Sequence, residues 1–328
     1  MMPLPDAGYR MPDKLLKELS NTKIKKLANR LFILFCFLLA SGIRHPASGY
    51  AAGLSSGGVL MRAYGARSIG VAEALTGVPG DIGGISVLQY NPGAAGFIKG
   101  KEIYITGQKG MSDDTAGSFI MGIPRRYGTL SWSFLYYSAG NIDLINTQGI
   151  TRNVTAEKDY VLSMSYGAVM DESYGVGVSL KYLRSQLIDD LSASAVAADA
   201  GFQLKNDQMT LGLSVQNAGT KLKYIETEEN LPLTLRGGIS YKYDFDNTAR
   251  IMPSFDIIKE RDSNLKELLG AEILWREAIS LRAGYKFGQD GGKLNFGAGL
   301  NLGFQIDYAY SGGEDAGTSH TVSLGVKF

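Results

Sequence analysis

Few side chains in this sequence can do covalent or metal chemistry. Its 328 residues hold two histidines and a single cysteine, Cys36. Ser319-His320 is the one place to look for a nucleophile and base, and Asp315 is the nearest carboxylate that would orient the imidazole. Alternation along 318–328 puts His320 outward with Val322 and Leu324, and Gly312, Gly313 and Gly317 loosen the loop that carries Asp315. The histidine therefore reads as a solvated rim residue, and the chain as non-enzymatic, with no catalytic residue. A lone histidine cannot build a transition-metal centre, and one cysteine cannot staple a fold. Glu226, Glu228 and Glu229 in the stretch 217–230 offer carboxylates for Ca²⁺, but read more simply as a solvated acidic loop. Gly175-Val176-Gly177 and Gly297-Ala298-Gly299 fall inside alternating segments and mark small inward positions, not phosphate cradles. No metal and no cofactor is expected. Lys+Arg of 33 against Asp+Glu of 32 leaves no basic excess for a nucleic acid.

The elements that position these residues are strands. Gly is abundant at 42, Tyr at 18, and apolar and polar residues alternate from residue 100 onward. Leu231, Leu233, Leu235, Ile239, Tyr241 and Tyr243 oppose Thr234, Arg236, Gly238, Ser240 and Lys242; Ile279, Leu281, Ala283, Tyr285 and Phe287 oppose Ser280, Arg282, Gly284 and Lys286. Successive side chains of a strand point to opposite faces, so each segment has one apolar and one polar wall. Fourteen such segments are expected, over 100–108, 115–124, 127–137, 157–169, 173–185, 194–205, 208–216, 231–244, 248–258, 267–275, 278–287, 293–300, 303–311 and 318–328. Connections alternate between short turns and longer loops, and the even number returns the chain to its starting side. Trp132, Tyr136, Tyr160, Tyr174, Trp275 and Tyr310 stand near segment ends as interfacial girdles would. The fold class is thus all-β: a fourteen-stranded antiparallel transmembrane barrel over 100–328, in preference to a soluble sandwich.

Two stretches precede the strands. Within 1–50, the basic residues Lys23, Lys25, Lys26 and Arg30 lead into the apolar run Leu31–Ile43 and then small residues, the order of a secretory signal peptide cleaved near 49–52. The second, 51–99, is rich in glycine and small residues, with a short helix expected over Ser68–Leu75; it reads as a plug inside the lumen. Inward polar candidates to meet it are Arg236, Lys242, Arg250, Asp256, Glu272, Arg282, Lys286 and Asp307, with Lys327 and Asp199. A salt-bridged, plugged lumen is a poor open pore. The chain ends Val322, Leu324, Val326, Phe328, the alternating aromatic-terminated pattern that barrel-assembly machinery reads.

Gly65-Ala66-Arg67-Ser68-Ile69-Gly70 followed by Asn91-Pro92-Gly93-Ala94-Ala95-Gly96 resembles the N-terminal signature of the PorV/PorQ family. Gln216-Asn217-Ala218-Gly219, Leu231–Gly238 and Asp307-Tyr308-Ala309-Tyr310 are similar to its later segments, so the resemblance spans about 62–328. Tyr90 stands where an aromatic, often Trp, precedes the Asn-Pro pair, and the usual acidic pair is reduced to Gly80-Asp81. From Gly65, Ala66, Arg67, Asn91, Pro92 and Gly96 the resemblance implies a plug motif. It also implies a barrel related to the FadL fatty-acid transporters in the outer membrane, in contact with its lipid. It further implies a role in protein secretion, as a type IX shuttle or docking platform for exported proteins. A FadL-like passage of hydrophobic small molecules, with Ile142, Leu144, Ile145 and Ile150 as an apolar pocket, and a purely structural barrel are the alternatives.

Overall fold

A computed structural model of the chain describes residues 57–328 apart from 111–112, 146–148, 189–190, 246–247, 289–292 and 314–316. The leader 1–50 with Cys36, the first residues of the stretch 51–99, and Asp315 lie outside the described residues.

The period-two pattern becomes strands β1 (Glu102–Gly110), β2 (Thr115–Arg125), β3 (Gly128–Ser138), β4 (Glu157–Asp171), β5 (Tyr174–Leu187), β6 (Leu191–Lys205) and β7 (Met209–Gly219). It continues through β8 (Thr234–Tyr241, resuming over Tyr243–Phe245 after a break at Lys242), β9 (Ala249–Glu260), β10 (Leu265–Trp275) and β11 (Ile279–Phe287). The last three are β12 (Lys293–Asn301), β13 (Phe304–Gly313) and β14 (Gly317–Lys327). Each strand pairs antiparallel with its sequence neighbour, and β1 pairs with β14 from Glu102↔Lys327 to Gly110↔Ser319. Fourteen crossings therefore form one closed sheet without an edge.

Burial alternates as the sequence pattern requires. Leu180 and Leu213 are 63% and 61% exposed, whereas their neighbours Ser179 and Ser214 are 3% and 5% exposed. The exposed apolar side chains form the lipid face; a charge there would cost about 2–4 kcal/mol at mid-depth, so the charged residues turn inward. Turns 126–127, 172–173 and 302–303 close one end, and the loops 139–156 and 220–233 rise from the other. Each long loop carries a small hairpin, Asn141–Ile145 with Thr151–Thr155 and Leu222–Tyr224 with Thr227–Glu229. Short turns face the periplasm and long loops the exterior in such barrels.

Residues 58–98 are short turns. The α-helix α1 (Ala66–Gly70) and the single turn α2 (Gly80–Gly83) stand among 3₁₀ turns at Gly58–Met61, Ile85–Gln89 and Pro92–Phe97. The helix expected over Ser68–Leu75 starts earlier and stops at Gly70. Ala72 and Glu73 then take left-handed backbone conformations, φ 53° and 65°, which bring the chain against Gly270 and Gly284 of the wall. The segment starts at the loop end, where Gly57 touches Leu183, Leu222 and Leu231, and leaves at the turn end into β1.

Candidate functional site in the lumen

Inward side chains of the wall and the backbone of residues 58–98 satisfy each other's polar groups. Three clusters do most of this. In the first, Arg67 donates from Nη2 to Glu272 Oε2 at 2.6 Å and from Nη1 to the Ile82 carbonyl at 2.7 Å. Arg282 bridges Glu272 at 2.9 Å and Asp307 at 2.7 Å, and Tyr104 donates to the other Asp307 oxygen at 2.9 Å. In the second, Asp256 accepts from Thr76 N at 3.0 Å and Thr76 Oγ1 at 2.5 Å, while Arg236 pairs with it at 3.1 Å and donates to the Glu73 carbonyl at 2.8 Å. In the third, Lys286 pairs with the Glu73 carboxylate. Burial alone would raise the Glu73 carboxyl; the nearby Lys286, Arg236 and Lys266 outweigh it and hold the group below the usual carboxylate range. Buried charges of this kind are tolerable because each is paired and hydrogen-bonded.

The motif residues sit at the tightest approaches. Gly65 has φ 119°, a conformation side chains rarely adopt. Ala66 N donates to Ser323 Oγ at 2.9 Å. Asn91 caps the Pro92–Phe97 turn by accepting from Gly93 N at 2.9 Å, and donates to the carbonyls of Thr76 and Phe202 at 3.0 Å each. A Cβ at Gly177 would overlap the Pro92 carbonyl, and one at Gly96 would reach the Ala168 backbone at 2.6 Å.

Not all inward candidates reach this segment. Lys242 pairs with Asp244 at 3.2 Å, and Arg250 with Asp244 at 2.7 Å and Glu277 at 3.5 Å, all at the periplasmic mouth. Lys327 pairs with Glu102 at 3.1 Å at the same end, where Glu102 also accepts from Ile85 N at 2.7 Å. Asp199 belongs to a separate group with Lys181, 2.7 Å away. Sequence reasoning missed Glu73, Thr76, Gln203 and Gln216. The two glutamines hold the backbone carbonyls of Thr76, Val78, Gln89 and Tyr90 at 2.7–3.1 Å. Their inward parity on β6 and β7 was a usable signal; nothing in the sequence marked Glu73 or Thr76.

Ser319 and His320 lie on opposite faces of β14. Ser319 accepts a long bond from Gln108 on the inner side, 3.4 Å, whereas exposed His320 places Nδ1 2.8 Å from the outward Tyr308 hydroxyl. They cannot act as a pair. Glu226, Glu228 and Glu229 are exposed, Glu228 being 3.2 Å from Lys221. Among the described residues no three His, Cys, Asp or Glu side chains gather as metal ligands would. The C-terminal Val322, Leu324 and Phe328 are exposed on the lipid face and Val326 is half-buried.

Above the three clusters the lumen opens into a cavity of about 550 Å³ toward the loops. Its wall carries Arg62, Arg236, Lys266, Lys286 and Lys293 against Glu73, Asp114 and Glu260, with Leu60, Ile69, Ile258 and Leu268 among them. The opposite side of the same level is packed with apolar groups, Val59, Leu60 and Tyr64 meeting Leu135, Val161, Leu183, Leu222 and Leu231. Ile142, Ile145 and Ile150 are exposed on the outer hairpin and form no part of either.

Residues 59–261 match the family model described as type IX secretion system protein PorV. The chain belongs to the PorV family. No curated relative matches the sequence. Among solved structures, this PorV-family barrel is similar to the Ralstonia pickettii toluene transporter TbuX, with TM-score 0.54 and 12% identity over 79% of this chain and 97% of that one. The monoaromatic hydrocarbon channel CymD gives 0.54 and 12%, covering 81% and 97%. A Pseudomonas aeruginosa FadL homologue gives 0.51 and 12%, covering 84% and 99%. At such identity the likeness is one of fold, that of an integral outer-membrane barrel in contact with lipid. Family and fold are those of transport and secretion barrels, not of enzymes.

Proposed function

We propose that this PorV-family barrel serves protein secretion of the type IX kind, holding exported proteins on its outer loops during delivery to the surface. The observation that carries this reading is a lumen crossed by paired charges. A hydrophobic molecule moving inward from that cavity would have to pass the Thr76–Arg236–Asp256 and Arg67–Glu272–Arg282–Asp307 clusters. An apolar groove of about 400 Å³ does exist, lined by Phe202, Leu213, Ile239 and Ile257, but it lies on the lipid face behind that barrier. It is the one feature that favours a FadL-like passage of small hydrophobic molecules.

In this reading residues 51–99 are a plug, and Gly65, Ala66, Arg67, Asn91, Pro92 and Gly96 are its motif. Residues 1–50 are a leader removed near 49–52, and residues 100–328 are the transmembrane barrel. Val322, Leu324, Val326 and Phe328 present the last strand to the barrel-assembly machinery. The test is native mass spectrometry of the barrel extracted gently from its own outer membrane. A protein-sized adduct is expected that survives lipid stripping and is lost when loop 220–233 is replaced by Gly and Ser. A lipid-sized mass in place of the protein adduct would replace this reading with the small-molecule one. Bare barrel from both preparations would leave a structural role.

A further inference from the structure

Lys286 on β11 and Lys293 on β12 stand directly opposite each other in the register, and both line the vestibule. Like charges directly across two strands repel and destabilise the pairing. Among the described residues the repulsion is relieved by the Glu73 carboxylate, which is seated on Lys286. Every other carboxylate on the cavity wall is engaged: Glu260 with Lys266 at 2.6 Å and Asp114 with Arg62 at 2.9 Å. Arg236 is taken by Asp256. Among the described residues Lys293 has no carboxylate of its own.

We propose that the Lys286–Lys293 pair is a binding site for a small, hydrophilic carboxylic acid entering from outside, with Glu73 the internal carboxylate already occupying half of it. Among the described residues one ammonium is in surplus and asks for one negative charge, which points to a monocarboxylate. The about 550 Å³ of space admits a small molecule, and the charged groups around it favour a hydrophilic one. An arriving carboxylate spans Lys293 and Lys286 and competes with Glu73 for the latter. The site does not depend on the secretion role proposed above.

The test uses the barrel purified from outer membranes and reconstituted in nanodiscs, its lysines ¹³C-methylated for NMR. The Lys286 and Lys293 signals are assigned with K286R and K293R. Potassium gluconate is the probe; sorbitol, potassium butyrate and potassium chloride at matched ionic strength are the controls. Gluconate is expected to shift the Lys293 signal saturably, butyrate more weakly, and sorbitol not at all. Lys293→Met should weaken gluconate binding roughly ten- to a hundredfold, the weight of one charge-assisted hydrogen bond. Glu73→Gln should tighten it, because the internal competitor loses its charge. Equal shifts from gluconate and chloride would reduce the effect to screening and overturn the site. So would an apparent affinity unchanged by Lys293→Met, or butyrate binding as tightly as gluconate.

Discussion

On the β2–β6 side of the outer half of the lumen, Val59, Leu60 and Tyr64 pack against Leu135, Val161 and Leu183 and leave a space of about 40 Å³. Across from them, on β9–β12, Lys266, Lys286 and Lys293 border an open cavity. The same N-terminal segment passes both. Apolar surface gains free energy from any close-fitting neighbour, so it is filled by whatever chain is nearest. Ammonium groups gain only from a partner of opposite charge in the right place, and the segment supplies that with one residue, Glu73. The lesson is that polarity of the wall, rather than length of the segment, decides which part of the lumen stays open.

The largest loss is expected where a charge shared by segment and wall is removed. Glu272→Ala leaves buried Arg67 without a carboxylate and Arg282 with Asp307 alone, and is expected to cost about 3–5 kcal/mol in urea unfolding of the reconstituted barrel. Leu183→Ala, on the packed side, should cost about 2–4 kcal/mol by opening a cavity beneath Gly57 and Leu222. If the two variants rank the other way, apolar packing and not the charged clusters holds the segment.

The pH dependence is smaller and separates the sides cleanly. Glu73 has a depressed folded-state pKa, so its contribution is full above its ordinary value of 4.5 and is lost as pH falls through the lower folded value. Acid should therefore loosen the charged side first, read as protease cleavage within residues 70–80, and Glu73→Gln should reduce that pH dependence, leaving the part due to Asp256 at Thr76. Least affected of all should be His320→Ala. Its exposed imidazole meets Tyr308 and Tyr310 on the lipid face, so a change of about 0.5 kcal/mol or less is expected in the same unfolding assay.

The strands were legible because one wall meets lipid and the other a polar interior, which stamps a period of two on every crossing. Arg282, Glu272, Asp256 and Asp307 could be placed inward for the same reason. Depth was harder to read: Lys242 and Arg250 have inward parity yet end at the periplasmic mouth, because parity says nothing of height along the barrel. The path of residues 58–98 was the least legible. Its turns follow the wall, as at Ala72 and Glu73, whose left-handed backbone no local preference of Ala or Glu would have suggested.

The route of that segment also constrains how the molecule is made. It enters among the loops beside Leu183, Leu222 and Leu231, runs down the inside and emerges at the other mouth to begin β1, which then zips to β14. The sheet is thus a ring tied around its own upstream chain. Feeding that chain into a finished ring would strip its carbonyls from water before Gln203, Gln216 and Asn91 could receive them. Laid first in an open, trough-shaped sheet, the same carbonyls trade water for side chains one at a time. A β1–β14 seam that closes after the segment is laid would spare those carbonyls a buried, unpaired step.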